Sequence, residues 1–377
     1  MKYCKRCVQP DTRPGVLFDR DGVCAACLYR FEEFPRIDWA QRERQLREIA
    51  AWAKEKAHGG FDCAVGVSGG KDSHVQAFYA KENLGLKVLL VNCAPDGITD
   101  VGRHNLENLV KHGFDMVSFR PNPAVMRGVT RRSFFEFGNP VKPSEYPLYA
   151  VSYQTALKFG IPLIIQGENV AITLGVRSNL APSDDALGIR RHNTLGGGNA
   201  SDWVQEGIEL RDLLFYQWPE EDELRAKVRA IHLNYYMKEW SWNGNIEFAV
   251  ARGLHGRVDD PNMTGRLNPY TSVDADMQIV NQMLKYYKFG FGFVTDEVCY
   301  NIREGRLSRE QAIKLVEQYD GKCDGRYIRE FCEYVDITLE DFWRVVDRFV
   351  NKKLFQKDRE SGEWKPLFKV GYGLEPG

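Results

Sequence analysis

Between residues 61 and 166, short apolar runs alternate with longer stretches of helical periodicity. Phe61–Val67 is apolar and rich in β-branched residues, with no polar alternation, the pattern of a strand buried on both faces. Lys87–Asn92, Phe114–Phe119 and Pro162–Gln166 read as further strands. His74–Leu84, Val101–His112, Ala124–Phe137 and Tyr149–Phe159 read as the helices between them, with Gly113 and Gly160 as stops and a Pro-rich loop through Pro147. This alternation predicts an α/β fold with a doubly wound parallel sheet, whose ligands sit at the carboxyl ends of the strands. Upstream, Asp38 is placed to cap a helix over Trp39–Ala57, where Leu46, Ile49, Ala50 and Ala53 recur at helical spacing.

Beyond Pro219 the pattern becomes mostly helical. Helices are expected over Glu220–His232, Asn243–Gly253 and Ala275–Phe289. Two more are expected over Arg309–Tyr319, opened by a Ser308/Gln311 capping box, and Leu339–Phe349, capped by Thr338. The aromatic stretch Tyr235–Trp242 reads as core, with a sugar-stacking face as the alternative. These changes divide the chain into residues 1–36, a loop-bearing α/β domain with its linker helix over 37–217, and a helical region over 218–377.

Composition narrows the classes. With 51 Lys+Arg against 52 Asp+Glu, the net charge is −1, so no global basic field favours nucleic acid. No run approaches the roughly 18–20 apolar residues of a membrane span. Residues 1–30 carry paired cysteines and charges in place of an apolar signal core, so a cytoplasmic protein is expected. Asn199-Ala-Ser201 and Asn262-Met-Thr264 match the glycosylation sequon and are read as chance.

Nine cysteines in a reducing compartment point to metal or chemistry before disulfides. Cys4-x₂-Cys7 and Cys24-x₂-Cys27 form two tight knuckles joined by a loop. Four thiolates at that spacing suit tetrahedral Zn²⁺, against two disulfides or an iron–sulfur cluster. The loop is too short and polar for a core of its own, so the metal would be structural.

The densest chemistry lies at Ser68-Gly69-Gly70-Lys71-Asp72-Ser73, directly after the first strand. A Gly-rich turn at a helix start aims free backbone N–H groups at one point, and the helix dipole adds positive potential. Gly69 and Gly70 allow close approach of a phosphate, Ser68 and Ser73 offer hydroxyls, Lys71 a charge and Asp72 a ligand for Mg²⁺. A Walker loop would need Ser or Thr directly after Gly-Lys, and Asp72 intervenes. Two other strand ends should share this crevice. One starts at Asn92-Cys93, where Cys93 also reads as a small buried hydrophobe. The other is Gly167-Glu168-Asn169, with Gly167 for close approach and Glu168 and Asn169 for ribose, metal or substrate. The long unpatterned stretch 177–199 carries Arg177, Arg190, Arg191 and His192. It reads either as a loop closing over an anionic substrate or as a solvated insertion.

The hexapeptide resembles the loop of the PP-loop, or N-type, ATP pyrophosphatases. The chain as a whole is similar to the N-acetyl sugar amidotransferase family within them. That resemblance rests on the four cysteines, Val67–Ser73, Gln166-Gly-Glu-Asn169, Lys288-Phe-Gly-Phe-Gly292, Asn301–Ala312 and Tyr319-Asp-Gly321. It implies a PP-loop fold, ATP with Mg²⁺, structural Zn²⁺, and adenine held by backbone at Asn92 and Cys93. It implies Lys71, Asp72 and Ser73 as catalytic residues, and conversion of an N-acetylated sugar's acetamido group to an acetamidino group in surface-glycan synthesis. No glutaminase triad or N-terminal nucleophile is visible, so a separate glutaminase subunit is expected to supply ammonia. The alternative is a tRNA-thiolating PP-loop enzyme, which would normally carry a basic surface and extra cysteine pairs.

Overall fold

Cys63–Gly66 (β1) sits at the centre of a five-stranded sheet in a computed structural model that describes residues 1–178, 180–191 and 195–374. Its partners are Val88–Cys93 (β2) and Leu163–Gln166 (β4), flanked by Asp115–Phe119 (β3) and Arg229–His232 (β5). The order is β3-β2-β1-β4-β5, and every pair is parallel. β1 pairs Cys63 with Val88 on one side and Leu163 on the other. The apolar runs are continuous because both faces are covered. Ala64, Leu89, Val91 and Ile164 face one core, and Cys63, Val65, Leu90 and Ile165 face the other. The first core is closed by Pro123–Phe137 (α4) and Lys142–Phe159 (α5). The second is closed by Trp39–Lys56 (α1), Lys71–Phe78 (α2) and Asp100–Lys111 (α3). Strand order reverses between β1 and β4, so their carboxyl ends splay apart and leave a crevice.

Three expectations change. The Pro-rich loop is helical: α5 starts at Lys142, with Pro143 in its first turn and Pro147 within it. A first-turn proline forfeits no intrahelical bond because that N–H has no partner anyway, and Tyr146, Pro147 and Ala150 bury one face against the sheet. The helix over Glu220–His232 stops at Lys227, and Arg229–His232 becomes β5. Arg229, Ala230, Ile231 and His232 satisfy the free edge of β4, an outcome that local periodicity does not encode. Finally, α2 begins three residues earlier than expected, at Lys71, and ends in a wide π turn over Tyr79–Asn83.

The later helices are Trp242–Val250 (α6), Met277–Phe289 (α7), Phe293–Arg303 (α8), Arg309–Tyr319 (α9), Gly325–Val335 (α10) and Leu339–Phe349 (α11). The Ser308/Gln311 capping box and the Thr338 cap are both formed. Asp38 accepts from the Gln41 N–H at 2.9 Å and caps α1. The helices α7–α11 share one core with the cysteine knuckles, in which Cys7, Cys24 and Cys27 lie among Val294, Val298, Ala312 and Phe331. Arg309 Nε donates to the Cys7 carbonyl at 3.1 Å, and Thr12 Oγ1 to that of Phe289 at 2.5 Å. The amino-terminal knuckles are thus a plug in the carboxyl-terminal bundle. Among the described residues, no helix is long and apolar enough to cross a membrane.

The start of α8 has no capping side chain of its own. Asp320 supplies it from another segment, accepting from the N–H groups of Gly292 (2.8 Å) and Val294 (3.0 Å) and from Thr295 Oγ1 (2.6 Å). Asp320→Ala leaves those buried donors unpaired, and a stability loss of about 2–4 kcal/mol is expected. Thermal or urea unfolding checks it.

Candidate functional site

The turn after β1 is drawn shut by the Ser68 N–H, which donates to Ser73 Oγ at 3.2 Å. Gly69 is left-handed at φ 84°, and a Cβ there would lie 3.1 Å from the Gly102 carbonyl oxygen. Only glycine fits both demands. Because α2 starts at Lys71, Lys71, Asp72 and Ser73 form its first turn, where backbone N–H groups have no intrahelical partner. The loop therefore presents free donors and a helix dipole at the crevice between β1 and β4, the geometry of an anion site.

Charges gather above it. Lys71 is 5 % exposed; its Nζ lies 2.5 Å from Asp72 Oδ2 and 3.8 Å from the Trp242 ring centroid. Trp242 stacks on Tyr300 at 4.5 Å and 16°. Asn245 Nδ2 donates to Asp72 Oδ1 at 2.7 Å and fixes that carboxylate's orientation. From the end of β4, Glu168 enters the same cleft, its Oε2 accepting from the Tyr300 hydroxyl at 3.5 Å. Burial, and secondarily the negative charge of Asp72, lifts the Glu168 carboxyl from 4.5 to about 7. Two carboxylates in one partly shielded cleft offer hard oxygen ligands to a divalent cation and a group able to exchange protons near neutrality.

The cleft is walled by four separate parts of the chain. Tyr29 and Arg30 come from the knuckle region, Ile172 and Thr173 from the turn after Glu168, Trp240 and Trp242 from the start of α6, and Tyr300 and Arg303 from α8. Sequence reasoning does not single out Trp242, Asn245, Tyr300 or Arg303 as site residues. Trp242 ends an aromatic stretch that reads first as core and only alternatively as a stacking face, Arg303 falls inside the Asn301–Ala312 block without an assigned role, and nothing marks Asn245 or Tyr300.

The other expected positions fall into place unevenly. Gly167 packs against α2 so closely that a Cβ would lie 2.5 Å from Gln76 Nε2. Asn169 is fully buried, and its side chain spends itself on the backbone. Nδ2 donates to the carbonyls of Ala181 and Ser183 at 2.9 Å each, and Oδ1 accepts from the Ala171 N–H at 2.8 Å. Asn92 Nδ2 donates to the Val67 carbonyl and its Oδ1 accepts from Ser118 Oγ, both at 2.8 Å. It ties together the ends of β1, β2 and β3. Cys93 is buried, and its thiol is pushed up to about 12 by burial. The arginines of the 177–199 stretch are engaged within the protein: Arg177 with Glu33 at 3.1 Å, Arg190 with the Gly198 carbonyl at 3.1 Å, and Arg191 with Glu221. Residues 184–186 run along the outer edge of β5, where the Ala186 N–H donates to the Ala230 carbonyl at 3.0 Å and the His232 N–H to the Asp184 carbonyl at 2.8 Å. His192 lies outside the described residues.

The four cysteines of the knuckles come together. Their sulfur atoms all lie within 4.8 Å of one another, fully buried. Cys7 Sγ and Cys24 Sγ are 3.8 Å apart, the edge expected of a tetrahedron with metal–sulfur bonds of about 2.3 Å. The Arg6, Gln9 and Cys24 N–H groups donate to the sulfurs of Cys4, Cys7 and Cys4 at 3.3–3.4 Å, which suits thiolates. The cluster can hold a metal such as zinc, and with four protein ligands it leaves no position open to substrate.

Comparison with known families bears on the bundle that walls this cleft. Residues 264–370 match the family model "LPS biosynthesis protein WbpG-like, C-terminal domain". The match supports a glycan-biosynthesis family. It covers α7–α11, and with them Tyr300 and Arg303 of the cleft. A comparison with curated proteins gives no match.

Two outcomes are expected. Cys24→Ser opens the tetrahedral set, so the purified variant carries much less zinc by elemental analysis and aggregates on expression. Glu168 has a folded-state value raised above its unfolded one, so the fold favours its protonated form. Its contribution to stability is present at low pH and is lost as pH rises from 4.5 through about 7. Glu168→Gln removes that loss, so in the absence of ligands its melting temperature should gain on the wild type between pH 5 and pH 8.

Proposed function

We propose that the chain is an ATP-dependent, AMP-forming amidotransferase that converts the acetamido group of an N-acetylated sugar into an acetamidino group in lipopolysaccharide or related surface-glycan synthesis. The observation that carries this reading is the convergence of the Ser68–Ser73 turn, Asp72 and Glu168 in one aromatic-walled cleft. The WbpG-like match over residues 264–370 supports the glycan setting.

The chemistry needs a leaving group, because ammonia does not displace an amide oxygen unaided. In this reading the acetamido oxygen attacks the ATP α-phosphorus, pyrophosphate departs, and an imidoyl adenylate forms. Ammonia adds to its carbon and AMP leaves, giving C=NH in place of C=O. Mg²⁺ would neutralise charge on the departing pyrophosphate. The first-turn N–H groups of α2, the Ser68 and Ser73 hydroxyls and Lys71 hold the phosphates. Asp72, oriented by Asn245, is the carboxylate for the cation. Glu168, poised near 7, takes the proton released as nitrogen adds. Trp242 and Tyr300 keep water from the adenylate. With no glutaminase site assigned in the chain, ammonia would come from a separate subunit.

Purified protein is to be supplied with ATP, Mg²⁺, ammonium and a panel of N-acetylated sugars, with mass spectrometry on nucleotide and sugar. AMP, pyrophosphate and a sugar about one mass unit lighter are expected. Asp72→Ala and Ser73→Ala should each lower turnover by about 10²-fold or more with an unchanged circular dichroism spectrum. AMP formed only with tRNA and a sulfur donor would overturn the reading in favour of thiolation.

A further inference from the structure

A second cavity, of about 400 Å³, opens between the loop at Arg13, the start of α5 and the face shared by α7 and α8. The segment after Glu168 divides it from the cleft: Ile172 and Thr173 line the cleft, and Leu174 and Val176 line this cavity. Helix α8 runs along both. Asp296 faces the cavity, and Tyr300 and Arg303, four and seven residues on and so on the same helical face, line the cleft.

The cavity wall is polar where a helix packed in a bundle would ordinarily be apolar. From α7, Asn281, Gln282, Lys285 and Lys288 point toward it at spacings of one, three and three. Asn281 is only 9 % exposed. Gln282 Oε1 is buried and, among the described residues, has no hydrogen-bond partner. A buried amide without a partner costs free energy unless something else fills the space. The cations outnumber the acids. Asp296 alone serves both Arg13 and Lys285, the latter at 2.8 Å. Lys288 Nζ donates to the Phe137 carbonyl at 2.6 Å, and its charged neighbour is another ammonium, Lys142. Burial and that neighbour pull the Lys288 amine down to about 8. Glu145 is the second acid in the wall and is engaged within the protein.

We propose that this cavity binds a polyhydroxylated ligand carrying an anionic group, with Lys288 and Lys285 meeting the anion and Asn281 and Gln282 the hydroxyl or amide groups. An acidic sugar fits this description, whether the charge is a carboxylate on the sugar or the diphosphate of a nucleotide-linked one. The choice of sugar rests on the function proposed above. The pairing of cations with the unpartnered Gln282 amide oxygen does not depend on ATP.

The test is titration calorimetry of the full-length, zinc-loaded protein without ATP. The probes are N-acetylneuraminic acid, UDP-N-acetylglucosamine and neutral N-acetylglucosamine. At least one anionic probe should bind about tenfold or more tightly than the neutral one, since a charge-assisted hydrogen bond is lost in the latter. Which anionic probe binds identifies the source of the charge. Lys288→Gln should weaken that probe about tenfold and flatten its salt dependence. Asn281→Leu, which keeps the side-chain volume, should weaken both anionic and neutral sugars. Equal binding of charged and neutral probes, no binding of any probe, or unchanged affinity in a folded Lys288→Gln variant would overturn the site. ATP–pyrophosphate exchange with each sugar, run alongside, separates the two ideas. Exchange without an effect of Lys288 sinks the cavity proposal alone, and tight binding of an acidic sugar without AMP formation sinks the adenylation reading alone.

Discussion

The constraint on which the site depends is the desolvation of opposite and like charges at one strand-end crevice. Lys71, Asp72 and Glu168 are held together beneath Trp242 and Tyr300, where Lys71 is buried and the two carboxylates are only partly open to water. In that setting one cation cannot satisfy two carboxylates. Lys71 takes Asp72, Asn245 completes Asp72, and Glu168 moves toward neutrality. A cleft arranged this way is electrostatically incomplete. A divalent cation and a polyanionic substrate would together supply what it lacks.

That cover comes from distant parts of the chain, which explains the architecture around the sheet. The sheet supplies the loop and Glu168; α6 and α8 supply the lid of aromatic rings; the cysteine knuckles supply Tyr29 and Arg30. The knuckles have too little apolar surface to fold alone and instead share the core of α7–α11. The short helix Ala25–Leu28 packs against the turn Val170–Thr173, directly after Glu168. A Cβ on the neighbouring Gly175 would lie 2.7 Å from the Ala26 nitrogen. The four-cysteine cluster therefore stands beside the cleft without opening onto it, bracing the wall that carries Glu168.

Much was legible along the chain. Four strands, the parallel sheet and the loop at its switch point follow from continuous apolar runs and a Gly-rich turn, because a strand covered on both faces leaves a strong one-dimensional pattern. The cysteine cluster follows from spacing alone. Asn92 and Asn169 show the opposite case. Both sit where ligand contacts are expected, and both side chains are consumed in tying strand ends and loops together. A polar residue after a strand can serve backbone or ligand, and the sequence does not distinguish the two.

The sequence by itself determined the elements whose cause is local: the apolar strands, the caps at Asp38, Ser308 and Thr338, the knuckles, and the Gly-rich turn at Ser68–Ser73. Only the tertiary structure decided that residues 229–232 become a strand, because the free edge of β4 selects them. Only it brought Trp242, Asn245 and Tyr300 over a loop some 170 to 230 residues earlier in the chain. Their meeting is set by how the helical bundle docks on the sheet, and packing between distant surfaces leaves no period in the sequence to read.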